Sequence, residues 1–352
     1  MILGATGHGT GFILLTGESM RLIVTGGCGF IGSNFIRYVL NTYRDVEVVN
    51  VDNLSYGSNL NNLKDLEDDK RYRFVRGSIN DPNLMSGLVK DADAVVNFAA
   101  ESHVDRSIAD PWTFFRSNTE GILVILEAMR RSGGDVRLVQ VGTDESYGDI
   151  LQGSFKEEDR LKPSSPYAAS KASADLFCLA YHRTYGLNVC ITRCTNNFGP
   201  YQFPEKLIPK TIIRAMLNLK IPIYGSGKNV RDWIYVLDHC EALDMVLRNG
   251  KKGEVYNVSS GNELSNLQVV DRILKLMGKP RGLIEFVEDR PGHDVRYSLD
   301  SSKIRSELGW RPRHSFMEAL KNTVEWYTSN EWWWKSLASE QVLHPTPWKL
   351  KW

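Results

Sequence analysis

Six short runs of apolar, often β-branched residues recur between Leu22 and Thr192, spaced by stretches of helical character. They are Leu22–Val24, Val46–Val51, Tyr72–Val75, Ala94–Phe98, Leu138–Val141 and Val189–Thr192. Each is continuously apolar, the pattern of a strand covered on both faces. The intervening segments predict helices over Ile31–Tyr43, Pro82–Lys90, Pro111–Arg131 and Tyr167–Tyr185. Asp81 and Pro82 supply an N-cap and a first-turn proline for the second of these. Alternation at this pace predicts an α/β fold, a doubly wound parallel sheet of Rossmann type. Past Asn196 the rhythm breaks at Pro200, Pro204, Pro209 and Pro222. The expected organisation is a Rossmann domain over 20–195 and a smaller, partly interleaved substrate-binding lobe over 196–352, some of whose segments return to the first.

Composition narrows the function. A net charge of +1 with 24% charged residues offers no basic field for nucleic acid or a membrane surface. No apolar stretch approaches the roughly 20 residues of a membrane span. Cys28, Cys178, Cys190, Cys194 and Cys240 are scattered, and no second Cys/His pair at zinc spacing accompanies Cys190 and Cys194. Reduced thiols, a cytoplasmic setting and no metal site are expected. Residues 1–19 lack a basic start and a cleavage site. Gly4, Gly7, Gly9 and Gly11 imitate a phosphate loop, yet no strand precedes them. A non-essential leader is expected there, with Met20 as the functional start.

A second glycine cluster does follow a strand. Gly26, Gly29 and Gly32 stand in GxxGxxG spacing after the first run and open the first helix. Such glycines make the turn, admit a pyrophosphate to the backbone and let the helix pack closely. Asp52 ends the next strand, where a carboxylate accepts ribose hydroxyls and repels a 2′-phosphate, which favours NAD over NADP.

Thr143, Asp144 and Glu145 follow the Leu138–Val141 run, and Tyr167 and Lys171 stand four apart at a helix opening after Pro166. Residues so spaced share a helical face, where an ammonium can lower the phenol's pKa and make it a base. Alcohol oxidation needs only that couple. Two adjoining carboxylates with separated pKa values suggest a second step, an acid–base elimination on the same substrate. Each residue alone has a plainer reading, as a solvated acid, a packed aromatic or a surface lysine. Together, after a glycine loop, they read as reactive.

From Met20 to Trp334 the chain resembles the extended short-chain dehydrogenase/reductases, and within them the nucleotide-sugar dehydratases that act on dTDP-glucose. The resemblance rests on Phe98–Ser107, Thr143–Glu145, Tyr167–Lys171, Arg193–Asn197, Pro200–Pro209, Asn229–Trp233 and Arg290–Asp294. It implies a three-step cycle with tightly bound NAD. Tyr167, assisted by Lys171, deprotonates the sugar 4-hydroxyl, and Thr143 bonds the 4-oxygen. Glu145 takes the C5 proton as Asp144 protonates the departing C6 hydroxyl, and C6 is then reduced.

The resemblance also implies cofactor contacts at Phe30, Ile31, Asp52, Asn53, Leu54, Ser55, Ser78, Ile79, Ala99, Ala100, Ser117, Tyr167, Lys171 and Asn197. Substrate contacts are implied at Ser102, Thr143, Asn196, Lys206, Leu207, Pro222, Tyr224, Arg231, Asn266, Arg290, His293 and Tyr297. Lys206, Arg231 and Arg290 suit a diphosphate on charge alone. Three positions depart from the family: Ser78 replaces an Asp, Gly142 a Ser and Ser146 a Val. Rival readings are a UDP-glucose dehydratase, a 4-epimerase of the same fold, and an inactive NAD-binding protein. The family implies a homodimer, for which the apolar residues Leu123, Val124, Ile125, Leu126, Leu176, Phe177 and Leu179 on two long helices are available.

Overall fold

The computed structural model describes residues 19–350. Residues 1–18 of the expected leader lie outside the described residues. The first half runs β1 (Met20–Thr25), α1 (Phe30–Thr42), β2 (Val46–Asp52), β3 (Tyr72–Arg76), α2 (Pro82–Val89), β4 (Ala94–Asn97), α3 (Val104–Ala109), α4 (Pro111–Phe114), α5 (Gly121–Ser132), β5 (Arg137–Thr143), α6 (Pro166–Tyr185) and β6 (Val189–Cys194). The second half adds β7 (Asn196–Phe198), α7 (Leu207–Met216), β8 (Ile221–Tyr224), β9 (Val230–Tyr235), α8 (Val236–Asn249), β10 (Val255–Val258), β11 (Glu263–Ser265), α9 (Asn266–Leu276), β12 (Ile284–Val287), α10 (Ser302–Leu308), α11 (Phe316–Ser329) and α12 (Glu331–Trp334).

Seven strands form one parallel sheet in the order β10-β6-β5-β4-β1-β2-β3. Six are the apolar runs; the seventh, β10, is a four-residue strand supplied by the second half of the chain. Because side chains alternate across a strand, Leu22 and Val24 join one core with α1 and α8, while Ile23 joins another with α2, α5 and α6. Two small sheets, β11-β9-β7 and β12-β8, carry the remaining strands. Their core gathers Phe198, Trp233, Leu320 and Tyr327.

The helix predicted over Pro111–Arg131 forms, but it is not α-helical throughout. Between α4 and α5 the stretch Phe115–Glu120 adopts wider π-helical turns, a form that clusters at functional sites. It places Asn118 so that its amide accepts from the Glu101 N–H at 2.9 Å and donates to the Ser170 hydroxyl at 2.8 Å. The reach of Asn118 across to α6 is a tertiary contact that helical periodicity does not encode. The short helix α3 was likewise absent from the sequence-based expectation.

One buried ion pair ties the sheet to α6. Arg193 Nε meets Asp175 Oδ2 at 2.8 Å, with the two side chains 3% and 0% exposed, and Arg193 Nη1 donates to the Tyr147 hydroxyl at 2.7 Å. Arg193→Met leaves Asp175 buried and uncompensated, so it is expected to cost about 3 kcal/mol in urea denaturation. The double variant with Asp175→Leu is expected to recover most of that loss. Equal loss in both variants would assign the effect to packing instead.

Candidate active site

The strand order reverses between β1 and β4, which opens a crevice at the carboxyl ends of those strands. Gly26 turns there with φ +67°, and a Cβ on it would sit 2.6 Å from the Ala99 nitrogen. A Cβ on Gly32 would sit 2.6 Å from the Gly26 carbonyl oxygen. Only glycine allows strand end, loop and helix to meet this closely. Asp52 closes the crevice side of β2, and its carboxylate accepts the Cys28 N–H at 2.9 Å and the Leu54 N–H at 2.8 Å. These bonds oppose the upward pKa shift that burial imposes on it. Loop, helix start and fixed carboxylate fit a dinucleotide.

Along the crevice lie Gly29, Phe30 and Ile31 from the loop, Asn53 and Ser55 after β2, and Ser78 and Ile79 after β3. Ala99, Ala100, Ser117, Tyr167, Lys171 and Asn197 complete the set proposed from sequence. Leu54 is the exception. Its backbone takes φ +58° to reach Asp52, and its side chain packs against the hydrophobic core instead of lining the crevice. Asn80 also lines it, within 3.3 Å of the Ser78 hydroxyl; it was not anticipated.

A second pocket adjoins the first through Ser102, His103, Glu145, Asn196, Glu205 and Lys206, which line both. Leu207, Pro222, Tyr224, Arg231, Asn266, Arg290, His293 and Tyr297 wall it, so eleven of the twelve proposed substrate residues meet there. Thr143 faces only the crevice. Arg290 Nη1 pairs with Asp105 at 2.9 Å, while its Nε is buried with no protein partner. Arg231 donates to the Asp294 carbonyl at 2.9 Å and lies 4.2 Å over the Tyr297 ring. Lys206 Nζ donates to the Ser102 carbonyl at 2.9 Å. Burial and the neighbouring Arg290 push His293 down to about 4, so it is neutral. Asp105 and Glu205, unassigned from sequence, lie inside the segments 98–107 and 200–209 that carry the family resemblance.

The reactive groups sit at the junction. β5 runs through Thr143, two residues further than its apolar run, and Asp144–Ser146 form a tight turn. Thr143 Oγ1 donates to Asp144 Oδ1 at 3.2 Å, while Asp144 Oδ2 is buried with no protein partner. Burial, then the charge of Glu145, raises Asp144 well above the usual carboxylate range. Burial also raises Glu145, but Arg290, Arg231 and Lys206 pull it back. Ser165 caps α6 by accepting the Ala168 N–H at 3.1 Å, with Pro166 in the first turn.

That helix start brings Tyr167 and Lys171 into the crevice. Lys171 Nζ donates to the Val141 carbonyl at 2.6 Å. Burial, then Glu145, raises the Tyr167 phenol well above its ordinary value, and a hydrogen bond with the Thr143 side chain opposes the rise. Of the departures from the family, Gly142 has a clear setting: a Cβ there would lie 2.7 Å from the Thr192 carbonyl oxygen and 3.1 Å from Asp175 Oδ1. Among the described residues no group of three or more His, Cys, Asp or Glu side chains is arranged to hold a metal ion.

A dinucleotide crevice joined to a cation-walled pocket across one tyrosine defines an extended short-chain dehydrogenase/reductase. Residues 23–323 match the family described as GDP-mannose 4,6 dehydratase. A dTDP-glucose 4,6-dehydratase of Streptomyces niveus is 49% identical over 332 residues, covering 93% of this chain and 98% of that one. The Escherichia coli enzyme of that name is 42% identical, covering 90% and 96%. The crystal structure of DesIV, a dTDP-glucose 4,6-dehydratase of Streptomyces venezuelae solved with NAD bound, matches with TM-score 0.88 and 48% identity, covering 90% of this chain and 100% of that one. A UDP-glucose 4-epimerase of Thermotoga maritima shares the fold at TM-score 0.82 but only 28% identity, covering 89% and 100%. The chain belongs to the dTDP-glucose 4,6-dehydratase family.

Proposed function

We infer that this enzyme converts dTDP-glucose to dTDP-4-keto-6-deoxyglucose and water, with NAD held through the cycle, in deoxysugar biosynthesis. The observation that carries the reading is the Thr143-Asp144-Glu145 turn set beside Tyr167 where the two pockets meet. An epimerase has no work for two adjoining carboxylates of which one holds its proton more firmly than the other. Gly26, Gly29, Gly32 and Asp52 hold the cofactor, and Lys206, Arg231 and Arg290 neutralise the diphosphate. Bound NAD would supply the hydride acceptor for C4 oxidation and the hydride donor for C6 reduction. Tyr167 takes the proton of the 4-hydroxyl, and Thr143 steadies the 4-oxygen. With C4 a ketone the C5 proton is acidic. Glu145 removes it, and Asp144, protonated in its buried setting, delivers a proton to the C6 hydroxyl as it leaves as water; as hydride reaches C6, Glu145 returns its proton to C5.

The same reading makes the enzyme a homodimer. Trp112, Phe115 and Leu176, 69%, 49% and 56% exposed, support a shared helical face, whereas Ile125 and Leu126 are spent on the sheet. It also assigns the enzyme to the cytoplasm, a setting supported by five unpaired, buried cysteines. Among the described residues no helix is long and apolar enough to cross a membrane.

Incubation with dTDP-glucose and, separately, UDP-glucose tests the function. The expected product carries the mass of the substrate less one water, formed faster from the dTDP sugar. An isomer of unchanged mass would replace this reading with epimerisation.

A further inference from the structure

Past α12 the chain continues from Lys335 to Leu350, beyond residue 323 where the family match ends. This segment folds back against α7 and α3. Arg214 Nη1 on α7 donates to the Leu343 carbonyl at 2.6 Å. Lys210 Nζ, from the pocket wall, donates to the His344 carbonyl at 3.2 Å. Val342 and Leu343 are buried, and the turn Pro347–Lys349 lies against α3. The segment is therefore anchored in the lobe and not merely laid across it.

Its most specific contact is aromatic. Trp348 stands edge-on to Tyr224 with ring centroids 4.7 Å apart and planes at 81°. Tyr224 ends β8 beside Val287 at the end of β12, and the loop after β12 carries Arg290 and His293. The His293 ring sits on Tyr224 at 6.3 Å. Tyr224 and Asp105 both line the second pocket, where the Asp105 charge acts on the Tyr224 phenol and its carboxylate holds Arg290 Nη1 at 2.9 Å. Lys349 pairs with Glu288 at the root of that loop, but both are largely exposed, so this pair adds little. Trp348 thus packs on Tyr224 while its own turn packs on α3, the helix whose Asp105 holds the Arg290 guanidinium.

We propose that Trp348 is a positioning residue for substrate: by fixing Tyr224, and through Asp105 the Arg290 guanidinium, it sets affinity for the nucleoside diphosphate half of the molecule. The inference rests on the reading under Proposed function. Trp348 touches neither the crevice nor the reacting carboxylates, so its effect belongs to binding and not to the chemical step.

The test uses the full chain with Trp348→Ala and Trp348→Phe. Kinetics with dTDP-glucose, calorimetric binding of dTDP, retained NAD and thermal denaturation are measured on each. The alanine variant is expected to raise KM and weaken dTDP binding about tenfold, the upper range for losing one aromatic pair. Its kcat, bound NAD and melting temperature are expected to stay unchanged, and phenylalanine is expected to restore affinity. If the alanine variant does not fold, Trp348→Leu, which keeps apolar cover without an aromatic edge, carries the same expectation. Active wild type with unchanged KM and dTDP affinity in the variant overturns the inference, as does a loss of kcat together with NAD. Wild type that binds dTDP but never turns over dTDP-glucose overturns the functional reading instead.

Discussion

Tyr167→Phe is expected to lower turnover of dTDP-glucose on the order of ten-thousandfold, the upper range for losing one positioned acid–base group. The substitution removes a hydroxyl and little else. The ring is nearly buried, packed edge-on to Phe114 at 6.2 Å and clustered with Val104, and phenylalanine keeps those contacts. Melting temperature and bound NAD should therefore match wild type. What disappears is the acceptor for the 4-hydroxyl proton, so no reduced nicotinamide should appear when substrate is mixed with the variant. Rapid-mixing absorbance checks this. A wild-type burst of reduced cofactor would remove Tyr167 from the mechanism. Because Lys171 bonds the Val141 carbonyl, Lys171→Met is expected to disturb β5 as well as the chemistry, which makes the tyrosine the cleaner probe.

Glu145→Gln is expected to separate the first step from the second. The two carboxylates are both raised, but unequally: Asp144 is 3% exposed and raised by burial and by its neighbour, while three cations counter the rise at Glu145. Asp144 therefore favours its protonated form more than Glu145 does, the condition for paired acid and base work. With glutamine at 145 the C4 oxidation persists and reduced nicotinamide accumulates. Solvent deuterium fails to enter C5, and overall turnover falls on the order of a thousandfold. Wild-type exchange at C5, read by NMR in deuterated water, would contradict the assignment. The pH profile follows from the same shifts. Glu145 serves only when ionised, so activity falls as pH drops through its raised pKa. Asp144 serves only when protonated, so activity falls as pH climbs through its still higher one. The variant is expected to lose the acid limb of this bell and keep the alkaline limb.

Much of this was legible in one dimension. Continuous apolar runs marked six of the seven strands of the large sheet, because strands buried on both faces need no polar alternation. The glycine spacing and the Asp52 position carried the dinucleotide crevice, because a backbone brought this close to its neighbours excludes any Cβ. What escaped notice has physical reasons. β10 is four residues long and pairs with β6 across some sixty residues of chain, so no local period announces it. The π turns at Phe115–Glu120 exist because Asn118 must reach Glu101 and Ser170, partners that lie on other elements.

By itself the sequence determined six strands of the sheet, the glycine turn of the crevice and the candidate reacting side chains, since strand burial, tight turns and acid–base chemistry are each written in contiguous residues. Only the tertiary structure decided their protonation and reach. The pKa order of Asp144 and Glu145 depends on burial and on cations from positions 206, 231 and 290, and Lys171 was drawn to a strand carbonyl. Electrostatic energy depends on distance through the folded protein and not on separation along the chain.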